Sequence, residues 1–294
     1  MKDTDNPLRA SCYADNAVQL RATIVENVQL AKLTYRVRFA CEELAQRVVP
    51  GQFIMLRLAD YQDPLLGRPL ALYDVYRDDS GKPLGIDVVY LVHGKLTSRL
   101  KDFDPGQQLD VWGPLGNGFM PEPVEHLIMV AGGIGQTPFV TLGKETLGKE
   151  QYGSPVREIE AAAQKVTFCY GARSKEYLAG IADFKAAGIE VKISTDDGSE
   201  GHHGLVTDLL NQTLDETTLS AKIVCCGPEP MMEAVSKIAI ARNIPCRVSL
   251  ETPMACGIGI CFSCVAKVMQ DDGEWDYKRT CVEGPVFDAQ KLVW

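Results

Sequence analysis

The sequence lacks three features that would each have fixed a class of protein. It has no run of about 18 or more apolar residues, so no membrane-spanning helix is predicted. Its polar start, residues 1–17, has no apolar core of the kind found in secretory signal peptides, and we predict a flexible N-terminus there. Its net charge is −9, which leaves no excess of basic residues for a nucleic-acid-binding face.

Cysteine and histidine are also scarce, with ten and four residues in a chain of 294. Ten cysteines are too few for a disulfide scaffold of this length, and a reducing cytoplasm is therefore the predicted location. The histidines have no metal-ligand spacing relative to the cysteines, and we predict that they lie at the surface or in turns. They are His93, His126, His202 and His203.

Two regions of different rhythm follow the N-terminus. Residues 18–122 contain short β-branched and aromatic runs between turn signals, which predicts an antiparallel β-barrel with a single helix at residues 96–103. After the linker Pro121-Glu122-Pro123, residues 123–245 alternate apolar strands with helices, which is typical of a doubly wound parallel α/β sheet. Within that domain, the charged stretch 149–164 is predicted to be a surface insertion. Residues 246–294 form a third, small domain.

The third domain carries the most specific motif. Cys256 and Cys261 are separated by four residues, Cys261 and Cys264 by two, and Cys281 follows later. This C-x4-C-x2-C…C spacing is typical of a plant-type [2Fe–2S] site. Structural zinc is the main alternative, although it usually takes paired C-x2-C knuckles or histidines. Four buried cysteines without a metal are the remaining alternative.

Two turns of the α/β domain have the composition of a nucleotide site. Gly132, Gly133 and Gly135 follow a strand and precede a helix, where glycines let a pyrophosphate approach the backbone. The segment Cys226-Gly227-Pro228 ends a later strand of the same sheet, so both turns face its carboxyl edge. Asp196 and Asp197 follow a third strand at that edge and are equally consistent with an ordinary acidic turn.

In the barrel, Arg68 stands on an extended segment stiffened by Pro69, from which a guanidinium could bind a diphosphate in bidentate fashion. A surface arginine beside a proline is the commoner reading of such a segment. Thr97 is predicted to cap the helix that follows it, and the N-terminus of that helix would then face the phosphates of the same ligand.

Taken together, these motifs resemble the ferredoxin-NADP reductase superfamily, and within it the electron-transfer subunits of NAD-linked, two-subunit dihydroorotate dehydrogenases. The resemblance covers residues 20–294 in order. It rests on Arg68-Pro69, the segment Gly113-Pro-Leu-Gly-Asn-Gly-Phe119, the glycine-rich turn with Pro138, Cys226-Gly227-Pro228 and the cluster motif. It implies that the barrel binds FAD, that the second domain binds the nicotinamide nucleotide, and that the C-terminal loop holds the [2Fe–2S] cluster.

The resemblance also implies the contact residues. Those for FAD are Arg68, Pro69, Leu70, Ala71, Val89, Tyr90, Leu91, Leu96 and Thr97; those for the nucleotide are Gly132, Gly133, Gly135, Cys226, Gly227 and Pro228; the cluster ligands are Cys256, Cys261, Cys264 and Cys281. This chain departs from the family at Ala71, where serine is usual, and at Leu96, where glycine is usual.

The function implied is an electron relay in pyrimidine biosynthesis, from an FMN-bearing dihydroorotate dehydrogenase partner through the cluster and FAD to NAD⁺, within a heterotetramer. No acid–base catalyst is required by such a relay. Three alternatives remain open: a stand-alone NAD(P)H flavin or ferredoxin reductase, a subunit of an electron-bifurcating complex, and an iron–sulfur redox sensor. The nucleotide is predicted to be NAD because Asp196 and Asp197 would repel a 2′-phosphate, although Arg173 and Ser174 would favour NADP.

Overall fold

The computed structural model describes residues 14–159 and 162–294. Most of the predicted flexible N-terminus, 1–17, therefore lies outside the described residues, and its last part contains a 3₁₀ turn at Ala14–Asn16. In the described residues, no helix has the length and apolar character needed to cross a membrane.

Seven antiparallel strands and two short helices form the N-terminal domain. They are β1 (Val18–Ala31), β2 (Thr34–Ala40), α1 (Glu42–Arg47), β3 (Phe53–Leu58), β4 (Arg68–Ala71), β5 (Asp74–Arg77), β6 (Pro83–Leu91), α2 (Lys95–Leu100) and β7 (Gln108–Leu115). The strand order is β4-β3-β7-β1-β2-β6-β5. The sheet curls until β4 lies beside β6, and it encloses a core that includes Ile24, Phe39 and Leu56. The predicted barrel is thus present as a curled, half-barrel sheet.

Three elements of this domain were absent from the sequence prediction. Helix α1 has only six residues, which is too short for a helical period to show, and it contradicts the prediction of a single helix. Strand β5 has four residues. Strand β7 runs through Gly113-Pro114, a dipeptide that ordinarily indicates a turn. The helix predicted at 96–103 is shorter and begins earlier, at Lys95.

The second domain contains a mostly parallel sheet with helices on its faces. Its elements are β8 (His126–Gly132), α3 (Phe139–Thr146), β9 (Lys165–Ala172), α4 (Ile181–Ala186), β10 (Glu190–Thr195), β11 (His202–His203), α5 (Val206–Glu216), β12 (Ala221–Cys226), α6 (Glu229–Ala241) and β13 (Cys246–Ser249). The last strand of the chain, β16 (Val286–Asp288), also joins this sheet, and the strand order is β11-β10-β9-β8-β12-β13-β16. The chain winds outward in both directions from β8, so the switch point lies between β8 and β12.

The predicted domain boundary at residues 245/246 falls inside this sheet. Strand β13 pairs in parallel with β12, and β16 pairs antiparallel with β13. Both strands lie in the range that was predicted to be the third domain. They belong to the α/β sheet because they complete its apolar edge, where Val248 is fully buried. What remains of that range is the cysteine loop and a two-stranded hairpin, β14 (Val265–Met269) and β15 (Trp275–Arg279).

The motif Gly113–Phe119 attaches this last part to the first domain. The Asn117 side-chain amide donates to the carbonyl oxygens of Glu283 and Val286, and its side-chain oxygen accepts from the Val286 N–H. The Asn117 side chain, two residues after the end of β7, is therefore bonded to the segment that follows the last cysteine. This places the cysteine loop next to the barrel.

Two further predictions about position were wrong. The stretch 149–164 is not simply a surface insertion, because Tyr152 is only 3% exposed and Arg157 forms an ion pair with the buried Glu145 of α3. His126 is fully buried rather than at the surface. Its two ring nitrogens lie within hydrogen-bonding distance of the Thr217 and Thr167 hydroxyls, and burial lowers its pKa to about 4.

Candidate functional site

The four predicted cluster cysteines come together in two pairs. Cys256 and Cys261 lie within hydrogen-bonding reach of each other on the outer side of the loop, as do the buried Cys264 and Cys281 beneath them. In the part of the chain that the structure describes, no three cysteine, histidine or carboxylate side chains surround a single point. A two-iron cluster needs only two thiolates at each iron, and the pairs therefore fit its donor set.

Hydrogen bonds shift the pKa values of three cysteines in this part of the chain, two downward and one upward. The Ser263 hydroxyl lowers the pKa of Cys261 to about 6, and the Cys281 thiol lowers the pKa of Cys264 to about 6. The pKa of Cys281 is raised in turn, first by its hydrogen bond with Cys264 and then by burial. Iron binds thiolates rather than thiols, so these shifts favour the ligand form of Cys261 and Cys264, whereas the raised pKa of Cys281 opposes it.

The glycines of the motif are required by close packing as well as by conformation. Gly257 and Gly259 have φ values of +74° and +83°. A Cβ on Gly257 would lie 2.5 Å from Met55 Cγ, and one on Gly259 would lie 2.6 Å from Val282 Cγ2. The loop therefore presses directly onto strand β3 of the curled sheet, where Met55 is fully buried. No side chain fits between the loop and the strand.

Arg279 fixes the loop from the other side. Its guanidinium donates to the Gly259 carbonyl oxygen over 3.1 Å and to the Glu283 carboxylate over 2.7 Å. The same guanidinium lies 5.3 Å from the centroid of the Phe262 ring. The apolar residues between the ligands nevertheless remain open to solvent, with Ile260 73% and Phe262 60% exposed.

Strand β4 carries the segment predicted to contact FAD. Arg68 is exposed, and in the described residues its guanidinium donates to two neighbouring carbonyl oxygens, those of Leu66 and Gly67, over 3.1 and 3.0 Å, with no carboxylate within ion-pair distance. Pro69, Leu70 and Ala71 are half-buried on this edge strand. A solvent-facing cation without an acidic partner is suited to a diphosphate.

The second predicted flavin segment lies on β6. Strand β5 pairs with β6 only as far as Asp87, so the following residues lose their neighbour on that side. The Val92 N–H donates to Leu33 on the β2 side, and alternate residues face alternate neighbours, so the backbone groups of Val89 and Leu91 face the open side. Tyr90 points into the barrel core and its hydroxyl donates to Asn27.

The prediction that Thr97 caps helix α2 was wrong. Helix α2 begins at Lys95 after Gly94, so Thr97 is its third residue and does not cap it. The Thr97 hydroxyl instead accepts from the His93 N–H over 2.7 Å. The Leu96 side chain is 2% exposed and belongs to the barrel core, which leaves only its backbone to face a ligand in the first turn of the helix. The start of this helix was predicted at the wrong residue because Gly94, which precedes it, has no side chain that would indicate a cap.

The two predicted nucleotide-binding turns are interlocked. A Cβ on Gly132 would lie 2.8 Å from Pro228 Cδ, and Gly135 packs against the carbonyl of Cys226. A Cβ on Gly227 would lie 2.9 Å from the Gly132 nitrogen. Gly133 differs from these, because it has φ +55° and nothing within 4 Å of its Cβ position. Three glycines therefore serve packing, and the open side at Gly133 is where a pyrophosphate can approach the backbone.

Cys226 is buried beside an acidic residue that the sequence did not single out. Burial and, to a smaller extent, the nearby Glu251 carboxylate raise its pKa to about 12, although a hydrogen bond with Ser249 opposes both. A neutral thiol therefore stands at the carboxyl edge of the sheet. The sequence did not predict Glu251 as a site residue, because it lies five residues before Cys256 in a segment with no motif of its own.

The acidic loop after β10 lies against the loop after β9. The Asp197 N–H donates to the Arg173 carbonyl oxygen over 3.2 Å, and the Lys175 N–H donates to the Ser199 hydroxyl over 2.8 Å. The Asp197 carboxylate accepts from the Ser199 hydroxyl, which lowers its pKa. Asp196 and Asp197, which favour NAD, therefore lie beside Arg173 and Ser174, which favour NADP, at the same edge of the sheet.

Comparison with known proteins agrees with this arrangement. The model of the iron–sulfur cluster binding domain of dihydroorotate dehydrogenase B matches residues 251–293, and that of the oxidoreductase NAD-binding domain matches residues 129–237. The first range contains all four predicted ligands. The second contains both interlocked turns.

A solved structure of similar architecture is that of an NADH-dependent reduced ferredoxin-NADP oxidoreductase, studied for flavin-based electron bifurcation. It is 28% identical, has a TM-score of 0.76, and the match covers 93% of this chain and 90% of that chain. A ferredoxin reductase of carbazole 1,9a-dioxygenase shares the fold, with a TM-score of 0.64 at 18% identity over 78% of this chain and 67% of that chain. The predicted reductase-like fold is confirmed.

Relatives of known name cover nearly the whole chain. The dihydroorotate dehydrogenase B (NAD(+)) electron transfer subunit of Desulforamulus reducens is 36% identical over 93% of this chain and 97% of its own length. The corresponding subunit of Geobacillus thermodenitrificans is 36% identical over 93% of this chain and 98% of its own length. This chain therefore belongs to the family of dihydroorotate dehydrogenase B electron transfer subunits.

Proposed function

We propose that this chain transfers electrons from an FMN-containing dihydroorotate dehydrogenase subunit to NAD⁺ in pyrimidine biosynthesis, through a [2Fe–2S] cluster and FAD. The observation that carries this function is the position of the cysteine loop. Its inner side packs on β3 of the flavin-side sheet, at Met55, while its outer side exposes Ile260 and Phe262. A centre that accepts electrons from one protein and delivers them within another needs both contacts.

The residues of this chain divide the work by position. When bound, FAD exchanges single electrons with an iron–sulfur centre and a hydride with a nicotinamide, which lets it join the two half-reactions. Arg68 binds the diphosphate, and the backbone of Val89 and Leu91 faces the flavin from the side that β5 leaves open. Gly133 admits the nucleotide pyrophosphate. The neutral Cys226 offers no charge to the nicotinamide.

The experiment that tests the function is purification from the native cell with analysis of the cofactors recovered. We expect a second protein that contains FMN to be recovered in equal amount from the cytoplasmic fraction. The mass of the complex should correspond to two copies of each chain. The second candidate function is that of a subunit of an electron-bifurcating complex, and the similarity to the NADH-dependent reduced ferredoxin-NADP oxidoreductase supports it. Recovery with a ferredoxin-dependent bifurcating partner would favour this candidate. NADH-dependent dye reduction by the purified chain would contradict a pure redox sensor.

Nucleotide preference supplies a second test. Asp196 is exposed at the sheet edge beside the Arg173 loop, and its carboxylate would repel a 2′-phosphate. We expect kcat/KM for NADH to exceed that for NADPH by about tenfold or more, because like charges brought together cost at least 1.4 kcal/mol or so. Steady-state dye reduction with each nucleotide measures this ratio.

The Asp196→Asn variant should narrow the ratio, because it removes the charge and keeps the shape. Asp197→Asn is a poorer choice, since the Asp197 carboxylate also holds Ser199. A wild-type preference for NADPH would overturn the assignment of NAD and would point to Arg173 as the 2′-phosphate ligand.

Partner binding is expected to depend on Phe262. Its ring is 60% exposed at the rim of the cysteine loop, and exposed aromatic side chains form the core of many protein interfaces. We expect Phe262→Asp to weaken association with the FMN-bearing subunit by about tenfold or more, because it places a charge in an apolar contact. Isothermal titration of the two purified subunits measures the change.

The matched control is Ile240→Asp, a similar substitution at a 51% exposed position on α6. It should bind the partner like the wild type. The cluster spectrum and NADH–dye activity should be retained in both variants. Wild-type affinity of Phe262→Asp would show that Phe262 lies outside the interface.

A further inference from the structure

The indole of Trp112 connects the cysteine loop with the flavin segment. Its Nε1–H donates to the carbonyl oxygen of Cys256 over 3.1 Å. The far edge of the ring lies against Gly67, the residue directly before Arg68. A Cβ on Gly67 would lie 2.6 Å from Trp112 Cη2 and 3.3 Å from Cζ3, so only glycine permits this approach. One side chain thus touches both segments.

The strands beneath the indole keep this connection rigid. Met55 on β3 pairs with Trp112 on β7 on one side and with Pro69 on β4 on the other. The fully buried Met55 side chain also supports Gly257, the residue after Cys256. A continuous row of three hydrogen-bonded strands therefore runs under the loop from the flavin segment. No flexible linker separates the two.

The hydrogen bond distinguishes Trp112 from an ordinary packing residue. Phenylalanine or leucine would fill the same apolar space, but only the indole N–H can bind the Cys256 carbonyl. Groups that bond to a metal ligand without touching the metal commonly orient that ligand and tune the centre. The Cys256 backbone is oriented by this bond.

We propose that Trp112 is a positioning residue that holds the Cys256 side of the cluster at a fixed distance and orientation from the flavin segment, and thereby sets the rate of electron transfer between them. This inference rests on the proposed function. No bond forms or breaks at Trp112. Electrons pass one at a time between the cluster and the flavin, and two such transfers together with one proton from solvent balance one hydride delivered to NAD⁺.

The test compares Trp112→Phe with the wild type, both loaded with cluster and FAD, in anaerobic stopped-flow mixing with NADH. Flavin bleaching reports the hydride step, and cluster absorbance with freeze-quench electron paramagnetic resonance reports the transfer to the cluster. We expect the rate of the second step relative to the first to fall about tenfold, which is the usual scale for loss of such a supporting contact. The g values of the reduced cluster should shift as well.

Trp275→Phe is the matched control, because Trp275 lies in the small domain of the cysteine loop, on the exposed hairpin strand β15. It should keep the wild-type ratio and g values. Gly67→Ala provides a second route, since the added methyl group must displace the indole edge. If Trp112→Phe fails to fold, Gly67→Ala tests the role of Trp112 instead: a lower rate ratio supports that role, and the wild-type ratio overturns it.

A wild-type ratio and unchanged g values in the variant would overturn the role of Trp112. Failure of the proposed function looks different, because the wild-type protein would then be recovered from the native cell without an FMN-containing partner, whatever ratio the variant shows. Purification and stopped-flow mixing therefore distinguish the two failures.

Discussion

Replacing Cys261 with alanine is expected to remove the [2Fe–2S] cluster. Wild-type protein should contain about two iron and two acid-labile sulfide per chain, and the variant close to none, because one open coordination site exposes the centre to hydrolysis and loss. Cys261 is the most informative of the four ligands because it is exposed, whereas Cys264 and Cys281 are each 2% exposed and belong to an apolar cluster. Loss of iron in this variant cannot be attributed to a disturbed core.

Cys41→Ala is the matched control. Cys41 is a buried thiol of the curled sheet, far in sequence from the loop, and its pKa is raised to about 12 by burial. Its variant should retain iron and sulfide at wild-type levels. Stoichiometric zinc without sulfide in the wild-type protein would refute the cluster, and full iron content in Cys261→Ala would refute this ligand.

Replacing Arg68 with alanine is expected to weaken FAD binding by about tenfold or more. The change removes a charge-assisted contact with the diphosphate, which contributes about 1.5–3 kcal/mol. Because the guanidinium makes only two local hydrogen bonds, to the Leu66 and Gly67 carbonyls, its loss should disturb the fold little. Fluorescence titration of deflavinated protein with FAD measures the dissociation constant.

Arg68→Lys should recover only part of the affinity, since an ammonium lacks the planar fork that binds two oxygens. Arg47→Ala on α1, which removes an exposed i,i+4 pair with Glu43, is the control and should bind FAD normally. Unchanged FAD content of Arg68→Ala after dialysis would exclude Arg68 as the diphosphate ligand. Recovery of FMN from the wild-type chain would replace FAD as its cofactor.

Some parts of this molecule were predictable because their signal is local. The spacing of Cys256, Cys261 and Cys264 reflects the reach of a loop around one centre. The change from short strands to alternating strands and helices near residue 123 likewise comes from the periods of the two architectures. These features depend on neighbours in sequence and not on distant contacts.

Other parts were not predictable because their partners lie far away in sequence. Strand β13 joins the α/β sheet through pairing with β12 and β16, which no local pattern announces. His126 is polar but buried, since two threonine hydroxyls from other elements satisfy its ring nitrogens. Leu96 lies in the motif region expected to face a ligand, yet tertiary packing places its side chain in the core.

The sequence by itself determined the chemistry: which four cysteines form the cluster motif, where the glycine-rich turn of the α/β domain lies, and which family the chain resembles. Only the tertiary structure decided the distances between these sites. The contact of Trp112 with both Cys256 and Gly67 spans 144 residues in one direction and 45 in the other. Such a contact follows from the register of β3, β4 and β7, and strand register is set by the packing of the whole sheet and not by any one segment.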